Sequence, residues 1–124
     1  VFNRSVAHQP IFLTDKDYQR ALDVLEYYSY LNPPLRFSHY NRLPVSLKND
    51  FYKKLKQTGK PQIELLAFCL MPNHIHFLIK EITQNGISTF MRNSQNSLAK
   101  YFNLKTGRNG SLFQAMFKAV RIET

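Results

Sequence analysis

Acidic side chains are scarce in this chain. Only 8 Asp and Glu stand against 17 Lys and Arg, a formal charge of +9 with a pI near 9.9. So one-sided a balance on 124 residues points to a polyanionic partner, nucleic acid before a membrane surface. Cysteine is nearly absent as well. Cys69 alone excludes a disulfide framework and makes an intracellular, cytoplasmic setting the default. No apolar run approaches the roughly 20 residues that span a bilayer, and no signal-peptide pattern opens the chain, so no membrane partner is expected. Trp is missing, which leaves 10 Phe and 7 Tyr as the bulky fillers of a core drawn from 44% apolar residues. There is no internal repeat and no low-complexity tract, and the length suits one domain over 1–124 with one core. The chain opens at Val1 inside an apolar stretch and stops at Thr124 directly after a strand-like segment. Both ends read as cuts through structure.

What is present alternates between the two periodicities. Residues 1–6 suggest a short first strand interrupted by Asn3 and Arg4. Thr14 with Asp17 three positions on resembles a capping box, and Tyr18, Ala21, Leu22, Leu25 and Tyr28 recur at three and four, predicting a helix over 15–30 that Pro33 and Pro34 end. Residues 32–45 read as an irregular connection. Ser46 is expected to cap a second helix with a narrow stripe of Leu47, Phe51 and Leu55, ended by Gly59. Its lysines at 48, 53, 54 and 56, with Lys60 just beyond, are either a solvated face or a nucleic-acid contact, and charge alone does not decide. Residues 62–70 and 74–81 read as strands of one hairpin around the connection at 71–73. Asn85-Gly86 breaks the chain before a long helix with Ile87, Phe90, Met91, Ser94, Leu98, Tyr101 and Phe102 on one face. Residues 112–122 read as a last strand. The sum is an α+β fold, an antiparallel sheet with helices packed mainly on one face.

The chemistry concentrates in residues 67–80, whose centre is His74-Ile75-His76. In a strand both imidazoles leave the same face, while Ile75 and Phe77 leave the other. Two polar rings on an apolar strand cost desolvation unless they are satisfied, either by hydrogen bonds or by a metal ion. Two imidazoles leave open positions on a divalent ion, as a catalytic site requires. Glu64, Glu81 and Glu123 are candidates for a third ligand that spacing does not separate. Cys69, between Phe68 and Leu70, reads as a buried structural thiol.

Leu70-Met71-Pro72-Asn73-His74-Ile75-His76, with Met91-Arg92, Lys100-Tyr101-Phe102-Asn103, Gly110-Ser111-Leu112-Phe113-Gln114 and Phe117-Lys118 downstream, resembles the HUH (His, hydrophobic, His) single-tyrosine transposases, in their insertion-sequence and REP-associated branch. The likeness covers most of 60–122, and Asp15-x-Asp17-Tyr18 fits the family's first helix. The resemblance implies a ferredoxin-like or RRM-like sheet and a divalent metal, Mg or Mn, held by His74 and His76. It also implies single-stranded DNA with hairpin ends as substrate, cleaved and rejoined through a phosphotyrosine, and a homodimer. Arg92, Lys100, Lys118 and Arg121 are the residues expected to contact DNA. In this family the nucleophilic tyrosine lies on a helix after the last strand, so it is expected beyond Thr124, with Tyr101 the alternative inside the chain and 1–124 alone inactive. The alternative function is a non-catalytic DNA- or RNA-binding module on the same sheet.

Overall fold

The computed structural model describes residues 1–4, 10–114 and 117–121. Its elements are β1 (Phe2–Arg4), α1 (Asp15–Tyr28), α2 (Phe37–Asn41), α3 (Val45–Thr58), β2 (Ile63–Met71), β3 (His74–Glu81) and α4 (Gly86–Thr106). The strands form an antiparallel sheet in the order β1-β3-β2. With α1 between β1 and β2 and α4 following β3, the described elements trace the first β-α-β-β-α of a ferredoxin-like plan, and α1 and α4 cover one face of the sheet.

Local chemistry sets the boundaries. The Thr14 side chain accepts from the Asp17 N–H at 3.3 Å while the Asp17 carboxylate accepts from the Thr14 N–H at 3.1 Å, so the expected capping box starts α1. Asn85 in the left-handed region precedes α4, and Gly107 in the same region ends it. Gly86 is buried where α4 meets the sheet. A Cβ there would lie 2.4 Å from the Gln62 carbonyl oxygen. The inner face of α4 is Phe90, Met91, Ser94, Leu98 and Phe102, with Phe90 edge-on to Phe77 of β3 at 5.9 Å. Gln62 ties three elements together: its N–H and its side-chain amide donate to the Ser29 and Tyr28 carbonyls, and its own carbonyl accepts from Ile82 and Thr83.

Several expectations are corrected. The connection over 32–45 contains α2, because Phe37 and Tyr40, one turn apart, are buried against Tyr27, whose ring stacks on Tyr40 at 4.9 Å. Five residues are too few for periodicity to register, and packing supplies the stability that propensity does not. Pro44 rather than Ser46 caps α3, and of its stripe only Leu55 is buried, Leu47 being exposed. The strand over 112–122 is not continuous among the described residues. Phe113 and Lys118 hold single bridge positions, and the Gln114 N–H donates to the Arg4 carbonyl at 3.0 Å. Val6, Ile122 and Glu123 lie outside the described residues.

Candidate metal and nucleic-acid site

The alternation read from the sequence holds on β3. Ile75 and Phe77 are buried under the helices, so His74 and His76 project from the uncovered face, with Ile75 1% and Phe77 6% exposed. Because β3 is the central strand, the pair is flanked on both sides: Arg4 and Phe2 of β1 stand opposite His74 and His76, and Met71 and Cys69 of β2 stand opposite them on the other edge. The hairpin connection is pinned from outside, its Pro72 carbonyl accepting from the Ile11 and Phe12 N–H groups at 2.6 and 3.4 Å. The segment leading into α1 thereby fixes the turn from which the histidines depart.

The two rings lie 4.9 Å apart, nearly perpendicular at 81°. His74 Nδ1 is 2.9 Å from the Asn73 side-chain oxygen. An amide oxygen only accepts, so this contact places the His74 proton on Nδ1 and leaves the Nε2 lone pair for a ligand. Burial, then the neighbouring His76, then the Arg4 guanidinium lower the His74 pKa and favour the neutral ring. A neutral imidazole oriented through its other nitrogen is the form that binds a divalent ion. The donor set therefore fits a metal, with His74 and His76 as two candidate ligands.

Of the acidic residues considered from sequence, Glu64 and Glu81 stand away from the pair, and Glu123 lies outside the described residues. At about 3.4 Å per residue, Glu81 stands roughly 17–24 Å along β3 from the pair, and Glu64, opposite Lys80, is separated from His76 by roughly 14 Å. Among the described residues no group of three or more His, Cys, Asp or Glu is placed to hold a metal ion. Cys69 is exposed, not buried, since β2 is an edge strand and this residue turns to the uncovered face opposite His76.

The residues expected to contact DNA are divided between surfaces. Arg92 and Lys100 are exposed on the outer side of α4, two turns apart on one face and away from the histidines. Lys118 and Arg121 are exposed in the segment after α4. Tyr101 belongs to the helical layer, its hydroxyl donating to Asp17 Oδ1 at 2.7 Å. All seven tyrosines lie in or beside the helices, and none is on the uncovered sheet face. Two contributors were not singled out from the sequence. Arg4 reads only as an interruption of a weak strand, and its position beside His74 depends on the β1–β3 register. Asn73 reads as a turn residue, although adjacency to His74 was available as a cue.

An antiparallel sheet in an α+β fold with a His-hydrophobic-His pair on its bare face, at the exit of a two-residue hairpin connection, is the arrangement expected of an HUH-superfamily protein. Within that class the chain belongs to the family described as "Transposase IS200 like", whose model matches residues 40–124. The match begins in α2 and takes in α3, the hairpin and α4, leaving β1, Arg4 and α1 outside it. Neither a curated protein nor a solved structure matches the chain. The protein is accordingly a transposase-family protein that acts on DNA. No helix among the described residues is long and apolar enough to cross a membrane.

Proposed function

We propose that this domain cleaves and rejoins single-stranded DNA at hairpin-bearing ends, using His74 and His76 to hold a Mg or Mn ion. The observation carrying this reading is the His74–His76 pair on the uncovered sheet face, with the Asn73 contact orienting His74 and Arg4 beside it. A divalent ion bound there would act as a Lewis acid on the scissile phosphate. Asn73 keeps the coordinating nitrogen of His74 unprotonated. Arg4 offsets the phosphate charge and approaches it from the β1 side. The attacking group is a tyrosine carried beyond Thr124: its oxygen bonds to phosphorus, the P–O3′ bond breaks, and the 3′ hydroxyl leaves with a proton. The 5′ end stays on the protein, so reversal by another 3′ hydroxyl rejoins the strand. Residues 1–124 are one catalytic domain, inactive in cleavage without that tyrosine, and the protein acts as a homodimer.

The test uses the full-length protein and a 3′-labelled single-stranded oligonucleotide containing the hairpin. Wild type should leave labelled protein on a denaturing gel, dependent on Mg²⁺ or Mn²⁺, and His74→Ala/His76→Ala should not. Wild-type rates in the double variant would sink the proposal. The tyrosines present all lie in or beside the helices, which favours one second reading, a binding module that retains DNA affinity and never forms the adduct.

A further inference from the structure

The helical layer carries a second basic feature, on the side of the molecule away from the histidines. A cleft of about 940 Å³ opens between α1, α2 and α4, lined by Arg20, Arg36, Arg42, Lys100 and Lys105 together with His39. No carboxylate lines it. Of its five Arg and Lys, only Lys105 makes an ion pair among the described residues, to Asp17 at 2.7 Å. Like charges gathered in one concavity repel each other, an arrangement that favours an anion arriving from outside.

Arg20 makes the cleft more than a solvated charged face. Its guanidinium carbon lies 4.8 Å from the Phe37 ring centre and 4.9 Å from that of Tyr101, so two aromatic rings from α2 and α4 hold an α1 side chain in place. Its Nε is buried and makes no hydrogen bond among the described residues. Tyr101 is held in turn by its bond to Asp17, which leaves its ring as a fixed wall. A guanidinium held in one plane suits bidentate contact with phosphate oxygens. Arg36 and Arg42 flank it from the two ends of α2, where their side chains are exposed. At about 940 Å³ the cleft has room for more than one phosphate group. Asn93 and Asn96 add amide donors on the α4 wall, and Arg92, one turn before Asn96, continues the row beyond it.

We propose that this cleft is a second DNA site, taking at least two backbone phosphates of the same substrate on the face opposite the histidine pair. Arg20 provides the central contact and Arg36 and Arg42 the flanking ones. The assignment rests on the DNA-acting reading above, but its test does not depend on metal or cleavage. DNA binding by the full-length protein is measured in EDTA, by fluorescence anisotropy over a salt series, for a hairpin stem and for an unpaired strand. Compared with wild type are Arg36→Glu/Arg42→Glu and Lys16→Glu/Lys60→Glu, the second making the same charge change at exposed positions outside the cleft. The arginine variant should bind at least about tenfold more weakly and lose roughly two from the slope of log affinity against log salt, while the lysine variant stays near wild type. A larger loss on the stem assigns the cleft to paired DNA, and a larger loss on the unpaired strand assigns it to single-stranded DNA. Should the reversal fail to fold, Arg36→Gln/Arg42→Gln carries the same slope criterion. Wild-type affinity in the arginine variant, or an equal loss in the lysine control, overturns the proposal. Absence of metal binding or of a phosphotyrosine adduct would count against the catalytic reading and leave this result standing.

Discussion

Tyr101 and Asp17, separated by 84 positions in sequence, are joined by a 2.7 Å hydrogen bond in which the phenol donates and the carboxylate accepts. The same Asp17 oxygen accepts from Lys105 Nζ at 2.7 Å, and the other accepts from the Leu13 and Thr14 N–H groups. One carboxylate thus caps α1 and anchors α4 to it. Tyr101 is engaged in holding the helical layer together. Tyr101→Phe should lower stability by about 1–2 kcal/mol, read from urea unfolding, with no loss of the covalent adduct from the full-length protein. Loss of the adduct with a normal unfolding curve would return Tyr101 to the chemistry.

Acid should reveal the same carboxylate. Burial pushes the Asp17 pKa up, but hydrogen bonds from Lys105, the Leu13 N–H, Tyr101 and the Thr14 N–H outweigh it and hold the pKa at about 2. A carboxyl depressed in the fold stabilises it above the unfolded value, near 3.9, and that contribution disappears as pH falls through about 2. The gap corresponds to about 2 kcal/mol. Stability measured from pH 5 down to pH 2 should decline by that amount more in wild type than in Asp17→Asn. Parallel curves would show that Asp17 is not the group responsible.

Much of this arrangement was legible in the sequence, for identifiable reasons. The capping box at Thr14 and Asp17 is a local pattern, and the α4 stripe repeats over enough turns to declare itself. The His-x-His pair needs only strand alternation to share a face. What was not legible depends on distance. Cys69 was read as buried because its neighbours are apolar, but β2 is an edge strand whose residues near Cys69 are largely exposed, Leu66 and Phe68 included. Arg4 acquires meaning only once β1 is laid against β3. Arg20 meets Phe37 and Tyr101 across three helices, and no window of sequence holds all three.

Asn73 is expected to act through His74 rather than on a substrate. Its side-chain oxygen fixes the ring and its tautomer, the kind of support whose removal costs metal sites about 10–100-fold in affinity. Asn73→Ala should weaken Mn²⁺ binding by that range in isothermal titration, with unfolding little changed, while Asn73→Asp, which keeps an acceptor, should recover much of the loss. Equal weakening in both variants would indicate damage to the turn instead.

Arg4 separates charge from coordination. It stands opposite His74 on β1, its backbone carbonyl is engaged with Gln114, and its side chain is exposed. Arg4→Ala leaves the strand contacts intact while removing a cation that opposes metal binding and favours phosphate binding. Mn²⁺ affinity should therefore stay level or rise slightly, whereas adduct formation by the full-length protein should fall about tenfold or more, the scale of one charge-assisted hydrogen bond at roughly 1.5–3 kcal/mol. The opposite pattern, weaker metal binding with unchanged cleavage, would mean that Arg4 supports the histidines rather than the phosphate. Because Arg4 lies outside the span matched by the transposase family, this variant also tests whether the first strand contributes to the chemistry or only closes the sheet beside it.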